Sequence, residues 1–222
     1  MTACEETELP KKKKRIMIYF IEATEKLIQE EGLDSLSIRK IAAEAGYNSA
    51  TIYNYFSDLE HLTLFGSVRY LREYIGMLSR SLREDMTSLE YFRTIYRCFN
   101  DFAFQYPDIF RNLFFGRHSD QLAEVLQIYY TQLFPEELDG ISESMRKMMV
   151  SGDMKERDRI TMQRLVEDSY VAPEKAEITL DLIVALSQSF LYEACVKGER
   201  LDLEQHKKKF NDLLDYLLAA AK

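Results

Sequence analysis

Gly46 divides residues 37–56, SIRKIAAEAGYNSATIYNYF, into two short runs whose apolar positions fall three and four residues apart. In the first run Ile38, Ile41, Ala42 and Ala45 share one helical face, and Ser37 stands where its hydroxyl can cap the first turn. Gly46 ends this run, because glycine alone enters the left-handed region without a steric cost. Asn48 or Ser49 can cap the second run, in which Ile52 and Phe56 lie four residues apart and point inward. Ala50, Thr51, Tyr53, Asn54 and Tyr55 are left to face outward. The pattern is that of a helix-turn-helix, whose second helix enters a major groove about 12 Å wide. Ordinary helix connections share this spacing, so the spacing alone leaves both readings open.

The residues go further. The segment 12–62 resembles the N-terminal domain of TetR-family transcriptional regulators, through GLDSLSIRKIAAEAG, then Ala50-Thr51-Ile52-Tyr53 with Tyr55-Phe56, and Glu60 with Leu62 just beyond. The resemblance implies a DNA-binding domain of three helices, residues 1–56, and a ligand-responsive, dimerising helical domain, residues 57–222. It implies that Arg39 and Lys40 face DNA from one helix, and Ser49, Ala50, Thr51, Tyr53, Asn54 and Tyr55 from the next. Within that set the tyrosine hydroxyls suit phosphates, and Thr51 and Asn54 are the candidates for base readout. The implied partner is a double-stranded, palindromic operator bound by a homodimer, and the implied mechanism is a repressor released by a small-molecule effector. The chain departs from the family at Leu59, where a phosphate-directed lysine is usual. Asp58 and Glu60 favour a helix N-terminus there but repel a phosphate. That departure keeps a second reading open, a TetR-like coactivator that acts through protein contacts.

A formal net charge of −8 opposes DNA binding only until it is resolved along the chain. Residues 10–56 carry eight Lys and Arg against six Asp and Glu, whereas residues 57–222 carry 21 against 28. Lys13 and Lys14 belong to the run Lys11-Lys12-Lys13-Lys14-Arg15, which can neutralise phosphates and make binding salt-sensitive. With 46% hydrophobic and 30% charged residues the chain can bury sizeable cores. No run of ~18 apolar residues predicts a membrane span, and residues 1–15 lack the apolar core of a signal peptide, so the expected location is the cytoplasm. Cys4, Cys98 and Cys195 share no ligand spacing with His61, His118 and His206, which predicts reduced thiols and no metal. Without a phosphate loop, nucleophile elbow or metal triad, neither a catalytic site nor a cofactor is expected.

Periodicity predicts an all-α chain with helices at 12–29, 37–45, 48–56, 57–82, 88–105, 107–116, 119–133, 136–150, 154–170, 174–197 and 202–221. Leu62, Phe65, Val68, Leu71, Ile75 and Leu78 should face inward along the long helix that joins the two domains. Phe99, Phe102, Tyr106, Phe110, Phe114, His118 and Tyr129 fall in an aromatic-rich stretch that is either core or the lining of a pocket for a hydrophobic or aromatic effector. Met145, Met148, Met149 and Met154 mark an adaptable cover or a solvated insertion. Leu182, Leu186 and Phe190 on one late helix, and Phe210, Leu214 and Leu217 on the other, are the expected dimer face.

Overall fold

A computed structural model describes residues 8–139, 146 and 154–222, and among these every regular element is helical. The head consists of α1 (Lys11–Glu31), α2 (Ile38–Glu44) and α3 (Ser49–Ile52). Its core holds the expected Ile41, Ala42, Ile52 and Phe56 together with Ile16, Phe20, Ala23 and Leu27 of α1, all buried. The ring of Phe20 sits among Tyr47, Tyr55 and Phe56 at centroid distances of 5.2, 6.2 and 6.3 Å. Gly32 (φ 82°) closes α1 and Gly46 (φ 74°) closes α2, both in the left-handed region that favours glycine.

The long helix α4 (Leu59–Ser81) leaves the head and crosses the body, burying Leu62, Phe65, Val68, Leu71, Ile75 and Leu78 as its periodicity predicts. It approaches α1 closely at Gly66, where a Cβ would lie 2.6 Å from Thr24 Cγ2. Thr24 is itself fully buried, and its hydroxyl donates to the Phe20 carbonyl. Around α4 stand α5 (Ser88–Ala103), opened by a Thr87–Glu90 capping box, and α6 (Pro107–Phe115), opened by proline. Then come α7 (Leu122–Ile128), α8 (Met154–Glu167), α9 (Ala176–Lys197) and α10 (Leu203–Ala220).

Three expectations change. The helix expected at 119–133 begins as a 3₁₀ turn at Ser119–Gln121 and ends as a π-turn at Tyr129–Leu133. The helix expected at 136–150 opens as the 3₁₀ turn Pro135–Leu138, and most of its remainder, with Met145, Met148, Met149 and likewise Cys4, lies outside the described residues. The third correction concerns the expected dimer face. Phe190, Phe210 and Leu214 are buried within the protomer, with Phe190 and Phe210 packed edge to face at 5.2 Å, and Leu186 and Leu217 are half-buried. Of the six expected residues Leu182 is exposed, and the other exposed apolar side chains of these two helices are Ile178, Tyr192 and Val196 on α9 and Leu203, Leu213 and Tyr216 on α10. Because α9 is apolar on two sides, its spacing could not separate the inner face from the outer. The stretch Pro173–Arg200 is long and apolar enough to cross a bilayer, yet one side of α9 is committed to the core through Leu180, Ile183, Ser187, Phe190, Leu191 and Ala194.

Candidate nucleic-acid interface and its link to the body

The turn between α2 and α3 is built from local hydrogen bonds. Ser37 Oγ accepts the Lys40 amide at 3.2 Å, and Asn48 Oδ1 accepts the Ala50 amide at 2.8 Å. Only Ser49–Ile52 closes as α-helix, shorter than the expected 48–56; residues 53–55 follow as turns, and the Phe56 amide reaches the Ile52 carbonyl at 3.0 Å. Ile52 and Phe56 are thereby turned inward. Tyr53 (59% exposed), Asn54 and Ala50 stand outside, Ser49 and Thr51 are half-exposed, and Tyr55 is half-buried against Phe20. Ser49, Ala50, Thr51, Tyr53 and Asn54 are thus open to solvent, while Tyr55 is partly covered.

The basic residues are differently placed. Arg39 is exposed. Lys40 pairs with Glu31 on α1 at 2.6 Å, and this ammonium lowers the Glu31 carboxyl below its usual range. Lys26 and Glu44 form a matching bridge at 2.6 Å, so two exposed pairs fasten α1 to α2. Exposed pairs of this kind add little stability and break readily, which leaves Lys40 available to a competing phosphate. Lys14 pairs with Glu8 at 3.0 Å. Just before the basic run, the Leu9 amide donates to Gln132 Oε1 at 2.8 Å, tying the arm to the π-turn of the body.

The head meets the body at Asp58, the N-cap of α4. Asp58 Oδ1 accepts the His61 amide at 2.8 Å, Oδ2 lies 2.9 Å from His118 Nε2, and Arg117 stands 3.6 Å away. Against the pull of partial burial, the His61 amide, His118 and Arg117 hold the Asp58 carboxyl below its ordinary value. The ring of His61 lies 5.5 Å from that of His118, and its Nδ1 accepts the Ser57 amide at 3.2 Å. Burial, then the neighbouring His118, lowers the His61 imidazole. This junction has no local sequence signature.

The aromatic residues named as effector contacts do not form one lining. Phe99, Phe102, Phe110 and Phe114 cluster with Tyr74, whose ring lies 5.9 Å from Phe99 and 6.3 Å from Phe110. Tyr106 packs on Tyr70 at 5.0 Å, His118 belongs to the Asp58 junction, and Tyr129 faces Glu25 on α1. Sequence reading missed the polar groups buried near them. The Tyr96 hydroxyl donates to Asp158, and Asn100, 1% exposed, has neither end of its amide hydrogen-bonded. The two described cysteines are free thiols; burial and Asp108 push Cys195 up to about 12, far from a reactive thiolate.

Residues 20–64 match the family described as bacterial regulatory proteins, tetR family. An uncharacterized HTH-type transcriptional regulator of Haemophilus influenzae is 31% identical over 91 residues, which make up 41% of this chain and 49% of that protein. The chain thus spans about half the length of the curated relative it matches. Among solved structures, RolR in complex with resorcinol aligns with a TM-score of 0.62 at 16% identity, over 95% of this chain and 89% of that one. Thermus thermophilus FadR, a TetR family transcriptional repressor in complex with lauroyl-CoA, aligns with a TM-score of 0.56 at 16% identity, over 89% and 92%. SmeT, the repressor of the Stenotrophomonas maltophilia multidrug efflux pump SmeDEF, aligns at 0.51 and 16% identity, over 92% and 89%. At these identities the likeness to solved structures is one of fold.

Proposed function

We propose, from the match of residues 20–64 to the tetR family, that the chain is a homodimeric, cytoplasmic TetR-family repressor released from a palindromic operator by a hydrophobic or aromatic small molecule. The observation that carries the reading is the second helix of the motif. It is capped by Asn48, buried at Ile52 and Phe56, and presents Thr51, Tyr53 and Asn54 outward, with Arg39 exposed on the helix before it. Such a surface offers hydroxyl and amide groups to base edges and phosphates.

The body supports an effector role. Asn100 is buried with both amide atoms unfilled, and an unpaired polar group in a core costs stability unless a ligand or water satisfies it. Its neighbourhood on α5 also carries Tyr96 and Phe99, so a ligand with an aromatic body and a hydroxyl or carbonyl fits the residue types present. RolR was solved with resorcinol and FadR with lauroyl-CoA, both of which combine apolar and polar parts. Effector binding then favours a dimer whose recognition helices are wrongly spaced for successive major grooves, and coupling of ~1–3 kcal/mol suffices to change DNA affinity 5- to 150-fold.

The deciding experiment is binding of the purified protein to its own upstream DNA against a scrambled duplex over a salt series. Specific, salt-sensitive binding supports the repressor. Equal binding to both duplexes at low salt removes it and leaves the coactivator reading, which Leu59 at the start of α4 favours.

A further inference from the structure

Ser57 is the first residue after the helix-turn-helix motif and Asp58 is the cap of α4, so two residues join the segment carrying Thr51 and Asn54 to the long helix of the body. The Ser57 amide donates to the side chain of His61, whose Nδ1 lies 3.2 Å away. The ring of His61 also stands 6.0 Å from that of Phe56 and 5.4 Å from that of Phe65. One imidazole thus touches the last buried side chain of the motif, the backbone that follows it and the second turn of α4.

That arrangement fixes the chemistry of the ring. An amide N–H only donates, so Nδ1 of His61 must present a bare lone pair; the single ring proton then sits on Nε2 and the imidazole is neutral. An added proton has only Nδ1 to occupy, and there it faces the Ser57 amide, donor against donor. The neighbouring histidine, with its ring 5.5 Å away, responds in the opposite sense. His118 Nε2 lies 3.0 and 2.9 Å from the two oxygens of Asp58, so that nitrogen donates, and the other can take a proton without loss of the bond. Charge on His118 tightens its pair with Asp58, whereas charge on His61 undoes a bond.

We propose that His61 positions the recognition helix only while its ring is neutral, so that protonation of this one side chain releases the Ser57 amide, loosens the turn at residues 57–58 and weakens operator binding in acid. The operator half rests on the DNA-binding reading; the response of Ser57 to a proton on His61 does not. The groups that face His61 are Asp58 on its own helix, His118 from the turn after α6 and Glu124 on α7, with Arg117 beyond, 3.6 Å from Asp58. The carboxylates favour a charged ring, but burial, then His118, outweighs them and keeps the imidazole below its usual 6.5. The unfolded chain therefore takes up this proton first. Stability held by the neutral ring is present in full above 6.5 and is lost as pH falls from there through the lower folded value.

His61→Asn is the discriminating variant, because Asn Oδ1 can stand where Nδ1 stood, still accepts the Ser57 amide and does not titrate. In the full-length protein, heteronuclear NMR follows the His61 ring and the Ser57 amide from pH 8 to pH 5, and fluorescence anisotropy follows binding to the upstream duplex over the same range. Expected are one titration shared by ring and amide, and an operator affinity that falls about threefold or more further in the wild type than in His61→Asn. His118→Gln, whose amide can still donate to Asp58, should move the His61 titration upward by removing a like charge. His61→Ala should bind the operator weakly at every pH, while His61→Asn matches the wild type at pH 8. A ring that titrates while the Ser57 amide stays still overturns the switch. A wild-type pH response in His61→Asn, or wild-type affinity in His61→Ala at pH 8, overturns the positioning role. If no protein prefers the operator to a scrambled duplex at any pH, the DNA-binding reading falls, and the ring and amide titrations decide the switch alone.

Discussion

One carboxylate, Asp58, both caps α4 and holds His118: its Oδ1 accepts the His61 amide at 2.8 Å, and His118 Nε2 stands 2.9 Å from its Oδ2. The first turn of the helix that leaves the N-terminal three-helix unit is therefore held by a residue 60 positions further along the chain. Loss of the cap alone is worth about 1 kcal/mol, so Asp58→Ala should lower the melting temperature by about 2–4 °C in a protein of this size. The pH dependence has a definite sign. The folded carboxyl lies below its ordinary 3.8, so its stabilisation is present above that value and is lost as pH falls through the folded value. Melting curves of the wild type and Asp58→Ala should differ at pH 7 and converge toward pH 3.

Glu25 has the opposite sign. Its folded carboxyl is raised to about 7 from 4.5, so the folded state holds a proton that the unfolded chain has already released. Stability contributed there is present below pH 4.5 and declines as pH rises toward 7. Glu25→Gln should flatten this decline, leaving the variant more stable than the wild type at pH 8 and not at pH 4. Thermal denaturation across pH 4–8 checks it, and parallel curves would show that Glu25 ionises freely in the folded protein.

Gly66→Ala should be more disruptive than its size suggests, because the added methyl meets Thr24 Cγ2 at 2.6 Å in the contact between α1 and α4. Overpacking of this kind costs roughly 1–3 kcal/mol. Thr24→Ser removes the opposing methyl, so the double variant should recover most of the loss. Chemical denaturation of the four proteins in the cycle reads the coupling, and simple additivity would place the strain elsewhere.

On the DNA face, Asn54→Ala or Thr51→Ala should relax operator preference by roughly 1–3 kcal/mol while leaving random-sequence binding nearly unchanged. Lys13→Ala with Lys14→Ala should weaken both alike and flatten the salt slope. Fluorescence anisotropy on operator and scrambled duplexes separates the two classes, and equal losses on both for Asn54→Ala would exclude it from base readout.

For the dimer, Leu182→Glu with Tyr192→Glu should yield a folded monomer by light scattering, since both side chains are exposed. Phe210→Ala should instead lower stability by about 3–5 kcal/mol, the usual effect of emptying a buried aromatic site. Dimers that survive the double charge substitution would place the interface on another surface.

The parts that were legible in the sequence are those made by neighbours along the chain. Ser37, Gly46 and Asn48 announce their caps by residue type, and the stripe from Leu62 to Leu78 follows from its spacing. The faces of α9 were not legible, because Leu180 and Ile183 turn inward while Ile178 and Leu182 turn outward, and composition is alike on both sides. Nor could aromatic content tell the Phe99–Phe110–Phe114 cluster from Tyr129, which serves a carboxylate instead. Pairs such as Asp58–His118 depend on where the fold returns the chain. Glu25 did carry a signal, a charge placed within an apolar stripe.

Gly66 and Thr24 pack α4 closely against α1 where the head is mounted. With 23 residues, α4 is about 34 Å long at 1.5 Å per residue. If the head is welded to one end, a tilt of about 5° around the other carries it sideways by about 3 Å, taking that length as the arm. Two such heads moving apart on a dimer would double the displacement, an appreciable fraction of a major groove about 12 Å wide. On the proposed repressor reading the protein needs no hinge at the head, because a rigid mount would turn a small rotation in the body into a loss of register on the operator.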